Sequence, residues 1–190
     1  MNSGDTFGPG VRKPAPGDLG LVQAFVNTVD LEGGKDLARD RQFLHGWLAE
    51  QSLIDPADRV SEADQRLVIQ VREAIRALAL ANHDGVSDLQ SVERLNRLAE
   101  GVRLAVSFDG EGKARLVPML PGVDGALARI LGIVYSSMVE GTWPRFKACR
   151  RDTCQWVFYD RSRNHSSSWC AMKVCGNREK AKTYRRKQKQ

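Results

Sequence analysis

The cysteine pattern constrains this chain more than any other feature. All four cysteines lie between positions 149 and 175, with the spacing C-x4-C-x15-C-x4-C. Two close pairs can bring four soft thiolate ligands to one tetrahedral zinc ion with little loss of loop entropy. Two disulfides are the alternative, because the number of cysteines is even. The pair spacing and a reducing compartment favour a structural Zn²⁺ held by Cys149, Cys154, Cys170 and Cys175.

The segment between the two cysteine pairs predicts a small module that depends on its metal. We expect a strand over Trp156–Tyr159, a polar turn over Asp160–His165 and a return through Ser168–Cys170. So short a module has no large core, so metal binding must supply much of its folding free energy. We interpret its aromatic side chains as packing around the zinc, with stacking on bases as the less favoured alternative. These side chains are Trp156, Phe158 and Trp169.

Charge is distributed unevenly along the chain. Residues 1–144 contain 15 Lys/Arg and 20 Asp/Glu, a net charge of −5, whereas residues 145–190 contain 14 and 3, a net charge of +11. Such an asymmetry is typical of a protein in which one part meets a polyanion while the other stays acidic. The alternative is a basic tail that is only solvated.

The longer, acidic part predicts a mainly α domain with one β-hairpin, an α+β fold. Apolar residues recur at helical spacing, and Ser61–Asp64 and Ser87–Gln90 resemble capping boxes. Alternating apolar residues on both sides of the Asp109–Gly112 turn predict the hairpin. Residues 1–16 are rich in Gly and Pro and predict a disordered lead. The predicted helices begin near Asp18, Phe43, Ser61, Ser87 and Leu127.

Three segments follow from this pattern: a lead over residues 1–16, a mostly helical domain over 17–143 and a finger over 144–190. We find no Gly-rich phosphate loop, nucleophile elbow or His-Glu-x-x-His pair, and four thiolates would leave no open zinc position for water. The sequence therefore does not predict an enzyme.

The sequence shows neither a signal peptide nor an apolar run long enough for a bilayer, so we expect a cytoplasmic protein without membrane contact.

The residues at the second cysteine pair carry a family resemblance. Cys175–Arg178 reads C-G-N-R, and with the first pair, the Asp160–Asn164 turn and Trp169–Met172 it resembles the CGNR zinc finger family. Phe25–Thr28 and the order of helices are similar to the ABATE domain that commonly precedes this finger. The resemblance implies a bacterial, stress-induced transcription regulator with zinc on the four cysteines. The chain departs from the family at Ser166–Ser168, where members often have Arg before the Trp-Cys pair.

A basic helix is predicted after the C-G-N-R tetrapeptide, so the finger would have a small, zinc-stabilised ββα-like fold. Like charges crowded on a helix destabilise it unless an anion neutralises them. Ala181 and Tyr184 are expected to pack toward the finger. The candidate nucleic-acid contacts are Arg161, Arg163, Lys173, Asn177, Arg178, Lys182, Arg185, Arg186 and Lys189.

The leading functional hypothesis is a DNA-binding regulator whose helical domain senses a small-molecule ligand or a protein partner. Phosphate contacts would make its DNA affinity fall steeply with salt. A zinc-dependent protein-interaction module or an RNA-binding module is the alternative. Because one basic helix offers little specificity, we expect a homodimer on paired half-sites.

Overall fold

The computed structural model describes residues 13–86 and 89–188. About 51% of the described residues are helical, which confirms the prediction of a mainly α fold. The helices are α1 (Leu19–Val26), α2 (Arg41–Glu50), α3 (Glu62–Ala81), α4 (Leu89–Ala99), α5 (Gly122–Val139) and α6 (Asn177–Lys187). The antiparallel strand pairs are β1 (Val29–Asp30) with β2 (Lys35–Asp36), β3 (Leu104–Phe108) with β4 (Ala114–Pro118), and β5 (Phe146–Ala148) with β6 (Val157–Tyr159).

Local sequence signals explain where the longest helices begin and end. Helix α3 starts at the predicted capping box, in which Asp64 N–H donates to Ser61 Oγ at 3.1 Å and Ser61 N–H to Asp64 Oδ2 at 2.8 Å. Helix α5 stops at Gly141, whose φ of +72° suits a residue without a Cβ. The box predicted at Ser87–Gln90 falls partly on residues 87 and 88, which lie outside the described residues.

Helices α1, α3 and α5 form the centre of the first domain. Val22, Phe25, Val68, Ile75 and Ile130 are each at most 1% exposed and belong to one apolar cluster. By length and composition α5 could span a membrane, which the sequence did not lead us to expect. Half of this 18-residue apolar stretch is buried against the rest of the protein, as in the core helix of a soluble protein.

The predicted hairpin is confirmed as β3–β4, with Leu104 opposite Pro118 and Phe108 opposite Ala114. Its base packs on α5, where a Cβ added at Gly132 would lie 3.7 Å from the Leu104 side chain. An added Cβ would make ordinary van der Waals contact there, so the hairpin packs against α5 without requiring glycine at this position.

Two arginines on α3 are buried in the core, a feature that the apolar periodicity did not reveal. Arg72, 2% exposed, forms a bidentate ion pair with Asp36 at 2.6 and 2.9 Å and also contacts Thr28 Oγ1 at 3.2 Å. Burial alone would raise the pKa of Asp36, but the Arg72 hydrogen bonds lower it below its ordinary value. Arg76, 3% exposed, donates to Val26 O and, at 2.8 Å, to Gln155 O. These bonds fasten α3 to the β1–β2 hairpin and to the cysteine segment.

The β5–β6 hairpin differs from the strand pairing that we predicted for the finger. Strand β6 lies within the expected Trp156–Tyr159 segment, but its partner is Phe146–Ala148, before the first cysteine. The predicted return through Ser168–Cys170 forms no strand; its Ser168 O instead accepts from Arg150 N at 3.0 Å. Pairing before the metal site places the two strands against the helical domain.

Packing is continuous across the predicted boundary between residues 143 and 144. Phe146, Ala148, Val157 and Tyr159 belong to the same apolar cluster as α1, α3 and α5. The Asn27 side chain donates to Val157 O at 2.9 Å and accepts from Val157 N at 2.8 Å. Asn27 thus occupies the hydrogen-bonding edge of β6 as a neighbouring strand would.

The predicted lead falls largely on residues 1–12, which lie outside the described residues. Residues 13–16 are described, and Lys13 O accepts from Tyr159 N at 3.0 Å. Lys13 Nζ also donates to Ser167 Oγ at 3.0 Å and lies 4.9 Å from the centre of the Phe158 ring. This short stretch therefore lies against the finger.

The Asn27 contacts predict that replacing its side-chain amide by a carboxylate lowers the stability of the protein strongly. Asn27→Asp keeps the shape but replaces the donor by a carboxylate facing Val157 O, so we expect the free energy of unfolding to fall by about 2–4 kcal/mol. Urea unfolding followed by circular dichroism measures it. Asn96→Asp, at an exposed position on α4, is the matched control and should change stability by less than about 0.5 kcal/mol. Equal effects would contradict the role given to Asn27.

Candidate metal centre and nucleic-acid interface

The four cysteines converge on one buried point. Their Sγ atoms all lie within 4.8 Å of one another, and the Cys154–Cys170 and Cys170–Cys175 pairs are each 3.7 Å apart. Four thiolates about 2.3 Å from a zinc ion are about 3.8 Å apart in a tetrahedron, whereas bonded sulfurs are about 2.05 Å apart. The geometry therefore fits a Zn²⁺ with four sulfur ligands and contradicts the disulfide alternative.

The protonation chemistry of this cluster also favours a cation. Hydrogen bonds with Cys154 and Cys170 lower the pKa of Cys149 to about 4. Hydrogen bonds with Cys149 in turn raise the pKa values of Cys154 and Cys170. One thiolate thus forms readily and suppresses ionisation of its neighbours. A divalent metal removes that repulsion and lets all four sulfurs bind as thiolates.

The second cysteine pair lies in a tight turn that depends on glycine. Residues Met172–Gly176 form one turn of π-helix, which brings Cys175 under Cys170. A Cβ added at Gly176 would lie 3.0 Å from Met172 Cε and 3.1 Å from Trp169 Cδ1. Glycine therefore favours the close packing of Trp169 and of the exposed Met172 side chain, and it is not required by the backbone, since its φ of −61° is open to any residue.

Aromatic side chains shield the cysteines, as predicted. Trp156 and Phe158 are 8% and 0% exposed and form a second apolar cluster with the four cysteines. Trp169 packs on the same cluster. Their burial supports the packing interpretation over stacking on bases.

A buried ion pair fixes the polar loop that precedes the second cysteine pair. Lys147 Nζ donates to Asp160 Oδ2 at 3.1 Å, and these residues are 3% and 0% exposed. Asp160 also accepts from the backbone N–H groups of Ser162 and Ser167, each at 2.9 Å. Burial opposes ionisation of Asp160, but these hydrogen bonds together hold its pKa well below its ordinary value. One carboxylate thereby shapes the loop that carries Arg161 and Arg163.

Helix α6 projects from the metal centre with no buried residue. Its six basic residues are opposed only by Glu179, at its first turn. Ala181 and Tyr184 are exposed, Tyr184 to 64%, so the prediction that they pack toward the finger is wrong. With so little contact, α6 is an exposed basic rod.

Two family models match this chain, one in each part. A family model described as "CGNR zinc finger" matches residues 145–188, and the ABATE model, described as "Putative stress-induced transcription regulator", matches residues 19–134. The chain belongs to the ABATE family. Its C-terminal part is a CGNR zinc finger with a structural zinc on four cysteines. Both families are of regulator or zinc-finger type, not enzyme classes. No curated protein matches the chain significantly.

In this CGNR finger, the last residue of the tetrapeptide contacts the ABATE domain. Arg178 forms an ion pair with Glu32, in the β1–β2 turn, and Arg151 binds the same carboxylate oxygen at 2.7 Å. The hydrogen bond from Arg151 lowers the pKa of Glu32 below its ordinary value. Asn177, one position earlier, donates to Lys173 O at 3.3 Å within the turn.

The other predicted contact residues occupy three places on the finger. Arg161 donates to Pro14 O at 3.0 Å and lies 5.9 Å from the Tyr159 ring, whereas Arg163 is exposed on the Asp160 loop. Lys173 is exposed in the π-turn, and Lys182, Arg185 and Arg186 are exposed along α6. Lys182 and Arg185 line a cleft with Arg178, so these three share one side of the helix. Lys189 lies outside the described residues.

Two residues at the contact between the finger and the ABATE domain, Arg151 and Glu32, were not predicted from the sequence. Arg151 stands between the first two cysteines, where an arginine in so short a loop was a signal that could have been followed. Glu32, in a Gly-rich turn more than a hundred positions away, offered none.

Zinc removal should destabilise the whole chain, because the finger hairpin shares the ABATE core. We expect a chelator to lower the temperature of the main unfolding transition by roughly 10 °C or more. Calorimetry with and without 1,10-phenanthroline measures it, with zinc content checked by mass spectrometry. A main transition left unchanged, with a separate weak one for the finger, would contradict the shared core.

Removing the buried carboxylate should leave Lys147 as an unpaired buried charge. Asp160→Asn is expected to reduce the free energy of unfolding by about 3–5 kcal/mol, and adding Lys147→Met should restore much of that loss. Urea unfolding measures both variants. Asp152→Asn, an exposed carboxylate in the same finger, is the control and should have little effect.

Proposed function

We propose that this ABATE-family protein is a DNA-binding transcription regulator acting in a stress response. The observation that carries the proposal is the exposed helix α6, which projects from the zinc centre with six basic residues and buries none of them. Repulsion along such a helix is relieved when an anion lies against it. DNA offers a regular array of phosphates at a spacing that a helix of this kind can follow.

The zinc centre supports this role by fixing the direction of the helix. Cys175 is followed immediately by Gly176 and α6, and the sulfur cluster is held by aromatic packing and by Arg76 at Gln155 O. The first turn of α6 is thereby anchored to the folded domain. The rest of the helix is presented to a partner in a fixed orientation.

The acidic ABATE domain would sense a small-molecule ligand or a protein partner. A cleft of about 650 Å³ lies between the end of α2 and the start of α5, away from the finger. Its walls include Leu53, Ile54 and Leu120, with Arg129 and Asp58 as charged groups. A mixed apolar and charged cleft of this size suits a small molecule.

Salt dependence tests the DNA-binding proposal. Affinity for a labelled duplex should fall steeply from low to moderate salt, and the triple change Lys182→Gln, Arg185→Gln and Arg186→Gln should reduce the log–log salt slope by about 2–3. Fluorescence anisotropy measures it. The same charge change at exposed positions outside the finger, Arg94→Gln, Arg103→Gln and Arg115→Gln, is the control and should leave the slope nearly unchanged.

The alternatives and the assembly state have separate tests. Structured RNA that displaces the duplex at equal concentration would favour an RNA-binding function. A nuclease-resistant protein complex without duplex affinity would favour a protein-interaction module. The homodimer on paired half-sites stays a prediction, which sedimentation of the protein–duplex complex would check.

A further inference from the structure

A second surface element faces α6 across a cleft. The cleft measures about 350 Å³ and lies between the loop joining Cys149 to Cys154 and the first turns of α6. It is open to solvent, and polar groups make up most of its lining. The lining residues are Arg151, Asp152, Thr153, Arg178, Glu179, Lys182 and Arg185.

Four cations from two elements face this space, which distinguishes it from the rest of α6. Arg151 is held in place on the loop side: it contacts Glu32 at 2.7 Å and Glu179 at 3.9 Å, and its side chain is only 20% exposed. Arg178, Lys182 and Arg185 stand on the helix side. Two arginines with fixed planes can bind an oxyanion through several N–H donors at once.

Two arginines of the cleft already bind one oxyanion in this structure, the carboxylate of Glu32, which is not itself among the lining residues. Both Arg151 and Arg178 contact the same Glu32 oxygen, Oε1. Glu32 belongs to an exposed turn of the ABATE domain, in which Asp30 Oδ1 accepts from Glu32 N at 3.1 Å and Gly33 N at 3.0 Å. A third of the Glu32 side chain is exposed, so water partly screens these ion pairs and a competing anion can displace the carboxylate.

We propose that this cleft is the site where the finger holds a DNA phosphodiester, and that Glu32 competes with DNA by binding two of the cleft's arginines in the free protein. The inference rests on the proposed DNA-binding function and adds both a phosphate site and an ABATE-domain residue that competes for it. A phosphate in the cleft can contact Arg151 and Arg178 and also Lys182, Arg185 and the Thr153 hydroxyl. These four cations outnumber the two carboxylates of the lining, Asp152 and Glu179. DNA therefore gains contacts that the carboxylate of Glu32 does not make.

Competition by Glu32 has a sign that separates it from a merely supporting role. If Glu32 competes with DNA, Glu32→Gln increases duplex affinity, by roughly three- to tenfold at low salt. If Glu32 only orients the two arginines, the same change weakens binding. Glu50→Gln removes an equal charge from an exposed position of the same domain and should have a much smaller effect.

Loss of the loop arginine should weaken DNA binding and reduce the effect of Glu32. Arg151→Gln should reduce affinity by roughly five- to tenfold and lower the salt slope by about one. Arg150→Gln is the matched control, since Arg150 is the preceding residue and pairs with Asp84 instead. In the Arg151→Gln background, Glu32→Gln should give a smaller gain than in the wild type, because the carboxylate then competes only for Arg178.

Anisotropy titrations of the full-length zinc-loaded variants on one duplex decide the matter. Zinc content and melting temperature verify that each variant is folded. If Arg151→Gln does not fold, Arg151→Lys replaces it in the same titrations. If the wild type binds with steep salt dependence but Glu32→Gln matches Glu50→Gln, or Arg151→Gln matches Arg150→Gln, the inference is overturned while the proposed function stands. A wild-type protein that binds no duplex would overturn the proposed function and this inference together.

Discussion

The three-residue strands β5 and β6 separate two cores, and the rest of the protein depends on this shared layer. Side chains alternate along a strand, so Val157 and Tyr159 enter the ABATE core while Trp156 and Phe158 cover the cysteines. A zinc module of this size cannot bury a full core of its own. By sharing the hairpin, it obtains apolar packing on one face and metal binding on the other.

The shared layer also explains why polar contacts cluster at the junction. Buried backbone groups need hydrogen-bond partners, and the two short strands cannot supply them all. Asn27, Arg76 and His83 provide the missing ones at Val157, Gln155 and Ala148, respectively. Each crosses from the ABATE domain to the finger. The junction is therefore held by directional bonds as well as by apolar packing, and the finger keeps a fixed orientation relative to α3.

Because the finger has a fixed orientation, charged groups of the ABATE domain can act on the basic helix α6 at a defined place. The ABATE domain is acidic and the finger strongly basic, yet among the described residues their charges meet at few points: Glu32 pairs with Arg151 and Arg178, and Asp84 pairs with Arg150. Helix α6 otherwise stays exposed beyond its first turn. The finger can thus present its positive charge outward, while one turn of the ABATE domain reaches the base of the helix.

The sequence by itself determined the local parts of this protein: the zinc ligands through their paired spacing, the helices through apolar period and the Ser61 capping box, and the β3–β4 hairpin through its turn. It did not determine what β6 pairs with, because Ser168–Cys170 and Phe146–Ala148 are both near in sequence and only packing on the ABATE core favours the second. The burial of Arg72, the exposure of Tyr184 and the meeting of Glu32 with Arg151 and Arg178 were likewise decided by tertiary structure. Each depends on groups far apart in the chain, whose contact energies no local pattern records.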